Sequence, residues 1–334
     1  MRCLDFINGT KLIAIPMIKL HYKYFQLLLF VAVFLSACSP TNKPKFTDTP
    51  TSGDILILCD EAYQPIIQVE VDTFMHLYNR AKIRVKYLPE TLVFNELLNN
   101  DSVRIAITGR KLLPHENDVF TNRKLIPIHT KIAYDAVALI CNKKNSIERL
   151  LHNQVAEIIN GSTTNWNQLK STMAKDSIVL VYDRTGSINF RFLTERFLSN
   201  QNKLPNNAYA LNGNLEVIDY ISKHQNAIGV ISINWLSDLD SDSVKAKKEN
   251  IQVISISEEG VDSSMADYFT PQQAFIATKK YPFIREVFTI SREGRSGLGT
   301  GFASFLAGDT GQRLIRLMGL LPATVPIRIV NVHS

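Results

Sequence analysis

Asp183-Arg184-Thr185-Gly186-Ser187-Ile188-Asn189-Phe190-Arg191-Phe192-Leu193 joins an apolar run to a helical pattern. Residues 178–182 ahead of it read as a buried strand. Phe190, Leu193 and Phe197 behind it share one helix face. The turn between them holds a guanidinium, a glycine, a hydroxyl and an amide. Free N–H groups at a helix N-terminus attract anions, and small residues let an anion come close. Arg184 at the same turn suits a two-pronged grip on an oxyanion. The same residues also fit an ordinary helix cap, with Ser187 at the N-cap and Arg184 on the surface.

The start of the chain gives an address. Lys19, His21 and Lys23 precede an apolar run over 24–37, interrupted by Gln26 and Ser36. That run is short for a membrane span and has the layout of an export signal. It ends in Leu35-Ser36-Ala37-Cys38, which resembles the bacterial lipobox, so Cys38 is expected to carry a lipid and become the new N-terminus. The 16 residues before Met17 are long for such a signal, which leaves Met17 as a candidate start. Residues 38–53 carry Thr, Pro, Lys and Ser without apolar periodicity and read as a tether.

Residues 1–37 hold four of the 37 Lys+Arg and one of the 31 Asp+Glu, so the 297 residues after them carry a net charge of +3. Charge so mild and scattered argues against nucleic acid as a partner. Cys59 and Cys141 sit in apolar strand-like runs. Two buried free thiols are the expectation, with a disulfide as the alternative.

The body alternates strand and helix. A strand at 54–58 leads to a helix opened by Pro65, with Ile67, Val71, Phe74 and Tyr78 on one face. A strand at 82–88, a helix at 91–100 with Leu92, Val93, Leu97 and Leu98 inward, and a strand at 103–107 follow. This order predicts a parallel sheet whose ligands sit beyond the strands' carboxyl ends. Cys59-Asp60-Glu61-Ala62-Tyr63-Gln64 and Thr108-Gly109-Arg110-Lys111 occupy that edge. The pattern restarts with a strand at 133–140 and a helix marked by Ile147, Leu151, Val155 and Ile158 that ends near Gly161. After the opening turn come a helix on Leu215, Ile218 and Ile221, strands at 227–231 and 281–290, and helix over 301–317. The expected architecture is α/β, two lobes with a cleft that gathers the edge loops of both.

Several motifs in order resemble the periplasmic phosphate-binding proteins of ABC transporters, the PstS-like branch of the type II solute-binding fold. They are Ala133-Tyr134-Asp135-Ala136, Glu157-Ile158-Ile159-Asn160-Gly161 with Thr164-Asn165-Trp166, and Ala227-Ile228-Gly229-Val230. Tyr281-Pro282 with Arg285, Gly301-Phe302-Ala303-Ser304-Phe305-Leu306 with Gly311-Gln312, and Gly319-Leu320-Leu321-Pro322-Ala323 complete the series. The resemblance implies a hinged two-lobe periplasmic-binding-protein-like fold, with 54–134 and 283–334 as lobe I and 135–282 as lobe II. It implies a ligand of inorganic phosphate or a similar oxyanion, and an ABC transporter membrane permease as partner. Membrane contact would come through the lipid anchor alone. It also implies ligand contacts from Arg184, Gly186, Ser187 and Asn189, from the first loop at Glu61, Ala62 and Tyr63, and from Gly109 and Arg110. Asp135 would accept the ligand's proton. The chain departs from the family pattern at Ile188, which stands in a glycine position, and at Asn189, which stands in a threonine position. Asp60 and Glu61 add negative charge beside an anion site.

Enzyme chemistry is not expected. The sequence has no Gly-x-Ser-x-Gly elbow and no His-Glu-x-x-His, and its seven histidines are scattered. No cofactor or metal is expected. Gly294, Gly297, Gly299 and Gly301 lack a following Gly-Lys-Ser/Thr, so that run reads as a turn before a helix. The alternative to a transport receptor is an envelope sensor or interaction lipoprotein that kept the fold and changed or lost its ligand.

Overall fold

The computed structural model describes residues 48–172, 175–198, 204–236 and 242–324. The expected signal at 1–37, Cys38 and the tether up to residue 47 lie outside the described residues. Among those described, no helix is long and apolar enough to cross a membrane, and no cluster of His, Cys, Asp or Glu could hold a metal.

Thirteen strands run in order through the described chain. They are β1 (Gly53–Asp60), β2 (Ala81–Leu88), β3 (Val103–Thr108), β4 (Ile128–Asn142), β5 (Arg149–Leu150), β6 (Val179–Tyr182) and β7 (Ala208–Ala210). There follow β8 (Ala227–Ser232), β9 (Ile251–Val253), β10 (Ser255–Ser257), β11 (Tyr268–Phe269), β12 (Ile284–Ser291) and β13 (Leu321–Pro322). The main sheet has the order β2-β1-β3-β12-β4-β8-β6-β7, and β9 and β13 also pair with β4. Strands β5, β10 and β11 form a small separate sheet.

The long strand β4 makes the architecture. Its first part lies antiparallel to β12 and its second part antiparallel to β8, so one strand belongs to both halves of the sheet. On one side of it β2, β1 and β3 are parallel neighbours. On the other, β6 runs parallel to β8 and β7. We call these halves lobe I and lobe II. Each buries its own core. Ile55, Ile57, Phe74, Ile105 and Phe302 fill one, and Leu139, Val155, Leu180, Ile228 and Phe283 fill another. The uninterrupted apolar strands reflect burial on both faces of a parallel sheet.

Several local expectations shift. The helix after β2 is Glu90–Asn99 and turns Phe94 inward while Leu92 is exposed. Leu215 likewise points outward from the helix Asn214–Lys223. Ile147 lies ahead of the helix His152–Asn160, which ends at Gly161 with φ +82°, a left-handed stop that suits glycine. The expected helix over 301–317 is two helices, Leu298–Ala307 and Asp309–Leu317, separated by extended backbone at Gly308. Cys59 and Cys141 are both buried and free. The body begins earlier than the expected tether's end, because Asp48 already accepts from the Leu298 N–H and pairs with Arg295.

Candidate functional site

The carboxyl ends of β1, β3 and β6, the first turns of two helices, and the β4–β12 crossover meet at the junction of the lobes. The opening stretch supplies lobe II's part. Ser187 is the N-cap of the helix Ile188–Phe197, and its Oγ accepts from the Phe190 N–H at 3.1 Å. The buried charged side chain of this turn is Asp183, not Arg184. Asp183 accepts from the Ser187 hydroxyl at 2.5 Å and from Asn189 Nδ2 at 2.8 Å. Arg184 is half-buried and donates to the Asn212 carbonyl. Ser187 is thus the N-cap that an ordinary cap reading gives it, while Arg184 is half-buried and not on the open surface. Gly186, at φ +80°, presents its carbonyl to the Thr91 N–H of lobe I at 3.2 Å.

Lobe I's main contribution is the loop after β1. Asp60 Oδ1 caps the Ala62 N–H at 2.7 Å, while its Oδ2 is buried without a hydrogen-bond partner. Glu61 reaches across the junction and accepts from Asn214 Nδ2 at 2.8 Å and from the Asn214 N–H at 3.3 Å. That carboxylate lies against the positive end of the helix Asn214–Lys223. The Ala62 carbonyl accepts from Asn234 Nδ2 at 2.7 Å and from Trp235 Nε1 at 3.0 Å, both in lobe II. A further bridge joins Arg191 on the Ile188 helix to Glu90, which opens a lobe I helix.

The loop after β3 behaves differently. Arg110 lies 3.6 Å above the Phe94 ring and grips Glu116 with two bonds, at 2.7 and 2.8 Å. Burial works against charge on Glu116, but these bonds hold its pKa below the usual carboxylate range. Gly109 faces Ile188. A Cβ built on Gly109 would lie 1.6 Å from Ile188 Cδ1 and 2.8 Å from the Tyr63 hydroxyl.

The floor is the crossover. Asp135 and Arg285 are paired residues across β4 and β12. Nε and Nη2 of Arg285 face Asp135 Oδ2 at 2.7 and 2.5 Å, and Nη1 is buried without a hydrogen-bond partner. Ser232 donates to both Asp135 oxygens, at 2.9 and 3.0 Å. The Arg285 guanidinium carbon lies 5.5 Å from the centre of the Tyr63 ring, and the fully buried Tyr63 hydroxyl has no partner. Asn214, whose Oδ1 accepts from the Ser232 N–H at 3.3 Å and from Asn189 Nδ2 at 3.1 Å, joins this floor to the Ile188 turn.

Protonation follows from burial. Desolvation, with the nearby Glu90 and Asp183 charges, pushes the Asp60 pKa well above the carboxylate range. Burial also raises Asp183. Burial, then the Asp183 charge, raises Glu61 to about 7. Although burial disfavours its charge, Asp135 holds Arg285 firmly protonated. Carboxyl groups that keep protons do not repel an anion as ionised ones would.

Of the residues singled out in the sequence, the structure thus gathers Glu61, Ala62, Gly109, Asp135, Gly186, Ser187 and Asn189 around one junction. It turns Arg184 toward Asn212 and Arg110 toward Glu116. Sequence reasoning passed over Asp183, Asn214, Ser232, Asn234 and the site role of Arg285. The glycine-rich run before Leu298 is no anion loop. Glu293 accepts from the Gly299 and Thr300 N–H groups at 3.2 and 2.7 Å, so that helix start carries its own carboxylate.

Two α/β halves sharing a crossover strand, with polar loops meeting at their junction, define a solute-binding fold. Residues 44–310 match the family model for the PBP superfamily domain, and the chain belongs to that superfamily. A curated relative, the phosphate-binding protein PstS of Borreliella burgdorferi, is 22% identical over 262 residues, covering 77% of this chain and 85% of the relative. Among solved structures, a putative phosphate ABC transporter substrate-binding protein with bound phosphate from Clostridium perfringens superposes with a TM-score of 0.67 at 20% identity. It covers 81% of this chain and all of its own. An ABC-type phosphate transport receptor from Vibrio cholerae gives a TM-score of 0.60 at 20% identity, over 80% of this chain and 99% of its own. At such identities the likeness establishes the fold.

Proposed function

We propose that this protein is a lipid-anchored solute-binding protein that takes phosphate or a related oxyanion at the lobe junction and delivers it to an ABC transporter permease. The observation that carries the reading is the buried, unpartnered Nη1 of Arg285, whose guanidinium carbon lies 5.5 Å from the ring centre of Tyr63, itself with a buried, unpartnered hydroxyl. A cationic donor and a neutral donor, both removed from water, suit an oxyanion. Relatives that are phosphate-binding proteins point to the same ligand class.

In this proposal residues 1–37 are an export signal, Cys38 bears the lipid, and the body faces the periplasm. Residues 54–134 and 283–334 form one moving lobe and 135–282 the other, with β4 and β12 as the hinge. Ligand contacts from both lobes favour the closed arrangement. Titration calorimetry of the full chain against phosphate, sulfate and molybdate tests it. Heat with phosphate that is lost in Arg285→Ala, and reduced less in Arg184→Ala, is the expected result. Silence toward all three ions rejects it.

A second reading has its own observation. Ile188 sits against Gly109, and burial, helped by the Asp183 charge, raises the pKa of both Asp60 and Glu61. An envelope protein that kept the fold and changed or lost its ligand would look like this, and calorimetric silence with an intact fold would favour it.

A further inference from the structure

The geometry points to Ile188 as the residue that sets how tightly this junction holds an oxyanion, because its side chain fills the space in front of Gly109 and Tyr63 that such a guest needs. The inference rests on the reading that the junction is the ligand site.

Ile188 is the first residue of its helix and fully buried. Its side chain leaves lobe II and joins the core of lobe I. It belongs there to the same buried cluster as Ile57, Cys59, Tyr63, Ile105 and Ile107. Three features meet at that place. Gly109 leaves its face bare, and any Cβ there would strike Ile188 Cδ1. The Tyr63 hydroxyl, 2.8 Å from the same Cβ position, is buried with no partner. The first N–H groups of a helix have no helical acceptor and carry partial positive charge.

Methyl and methylene groups cannot accept from a hydroxyl or from N–H, so an isoleucine here leaves donors unanswered. An oxyanion in place of its outer carbons would accept from Tyr63, approach Gly109 closely and meet the helix start. The polar groups already facing that space constrain the guest further. Asp183 takes the Ser187 hydroxyl and the Asn189 amide, which leaves the Tyr63 hydroxyl and backbone N–H as donors. Ile188 thus decides whether those donors meet an anion or a hydrocarbon.

The test titrates inorganic phosphate into the full chain as wild type, Ile188→Ala, Ile188→Gly and Ile188→Val at one fixed pH, with thermal unfolding as the check on folding. Shortening the side chain should tighten phosphate binding about tenfold or more in the alanine or glycine variant. Valine, a one-methyl change that keeps the packing, should shift it the same way by less. A silent wild type with a binding alanine variant supports the inference and hands the function to the changed-ligand reading. A binding wild type whose folded variants bind equally or more weakly overturns the inference and leaves the proposed function standing. Silence in every variant overturns both.

Discussion

The loop after β1 offers its carboxylate and carbonyl to the opposite lobe, whereas the loop after β3 turns its charge back on its own. Glu61 and Ala62 bond to Asn214, Asn234 and Trp235 across the junction. Arg110 is spent on Glu116 and Phe94, and the loop gives the junction only the bare face of Gly109. Both loops end parallel strands of one sheet and both carry charge. A charged residue at the carboxyl edge of a sheet can therefore be engaged wholly within its own lobe. What it meets within one helix turn decides whether it is free to face a guest.

The largest effect should fall on the pair beneath the β1 loop. Arg285→Ala strands Asp135 in a fully buried site and should cost about 3–5 kcal/mol in a denaturant melt. A cost below about 1 kcal/mol would mean that the loop does not rest on a dry ion pair.

Glu70 lies on the helix Gln64–Leu77 that follows the same loop, buried without a partner, and desolvation raises its pKa to about 9. The folded chain keeps this proton while the unfolded chain gives it up near 4.5, so stability falls as pH climbs from 4.5 toward 9. Glu70→Gln should remove that slope and add on the order of 1–3 kcal/mol near neutrality, read as melting temperature against pH.

Arg110→Ala should lose about 1–2 kcal/mol from the broken two-bond pair. Phosphate affinity should stay within about twofold of wild type, since the residue faces away from the guest. A large affinity loss would erase the contrast between the loops.

The smallest effect belongs to Glu61, part-exposed and already bonded. Its folded value of about 7 lies above the usual 4.5, so its contribution is complete below 4.5 and is lost as pH rises to about 7. Glu61→Gln should flatten that stretch of the stability profile and leave the rest unchanged.

The sequence carried the strand–turn–helix order well, because buried parallel strands and amphipathic helices leave local periodicities. It carried the junction poorly. Asp183 and Arg184 are adjacent, and spacing alone did not say which would turn inward and which outward. Arg285 stood in a recognised motif, yet its place in the site depends on pairing with Asp135, 150 residues away. Ser232, Asn214 and Asn234 are ordinary polar residues until β8, the helical turn Ile233–Leu236 after it and the Asn214 helix bring them under the β1 loop. Ile188 was visible as a departure from a glycine position. Its meaning needed Gly109, in the loop after β3 of the other lobe, to lie opposite.

That contact is the centre of the account, and a double-mutant cycle on unfolding free energy measures it directly. Gly109→Ala alone should destabilise the chain strongly, since the new methyl meets Ile188 Cδ1. Ile188→Ala alone should cost about 2–5 kcal/mol as a core truncation. Combined, the second change makes room for the first, and the double mutant should be more stable than the sum of the two losses allows, by about 1–3 kcal/mol. Losses that simply add would contradict a direct contact between the lobes at this point.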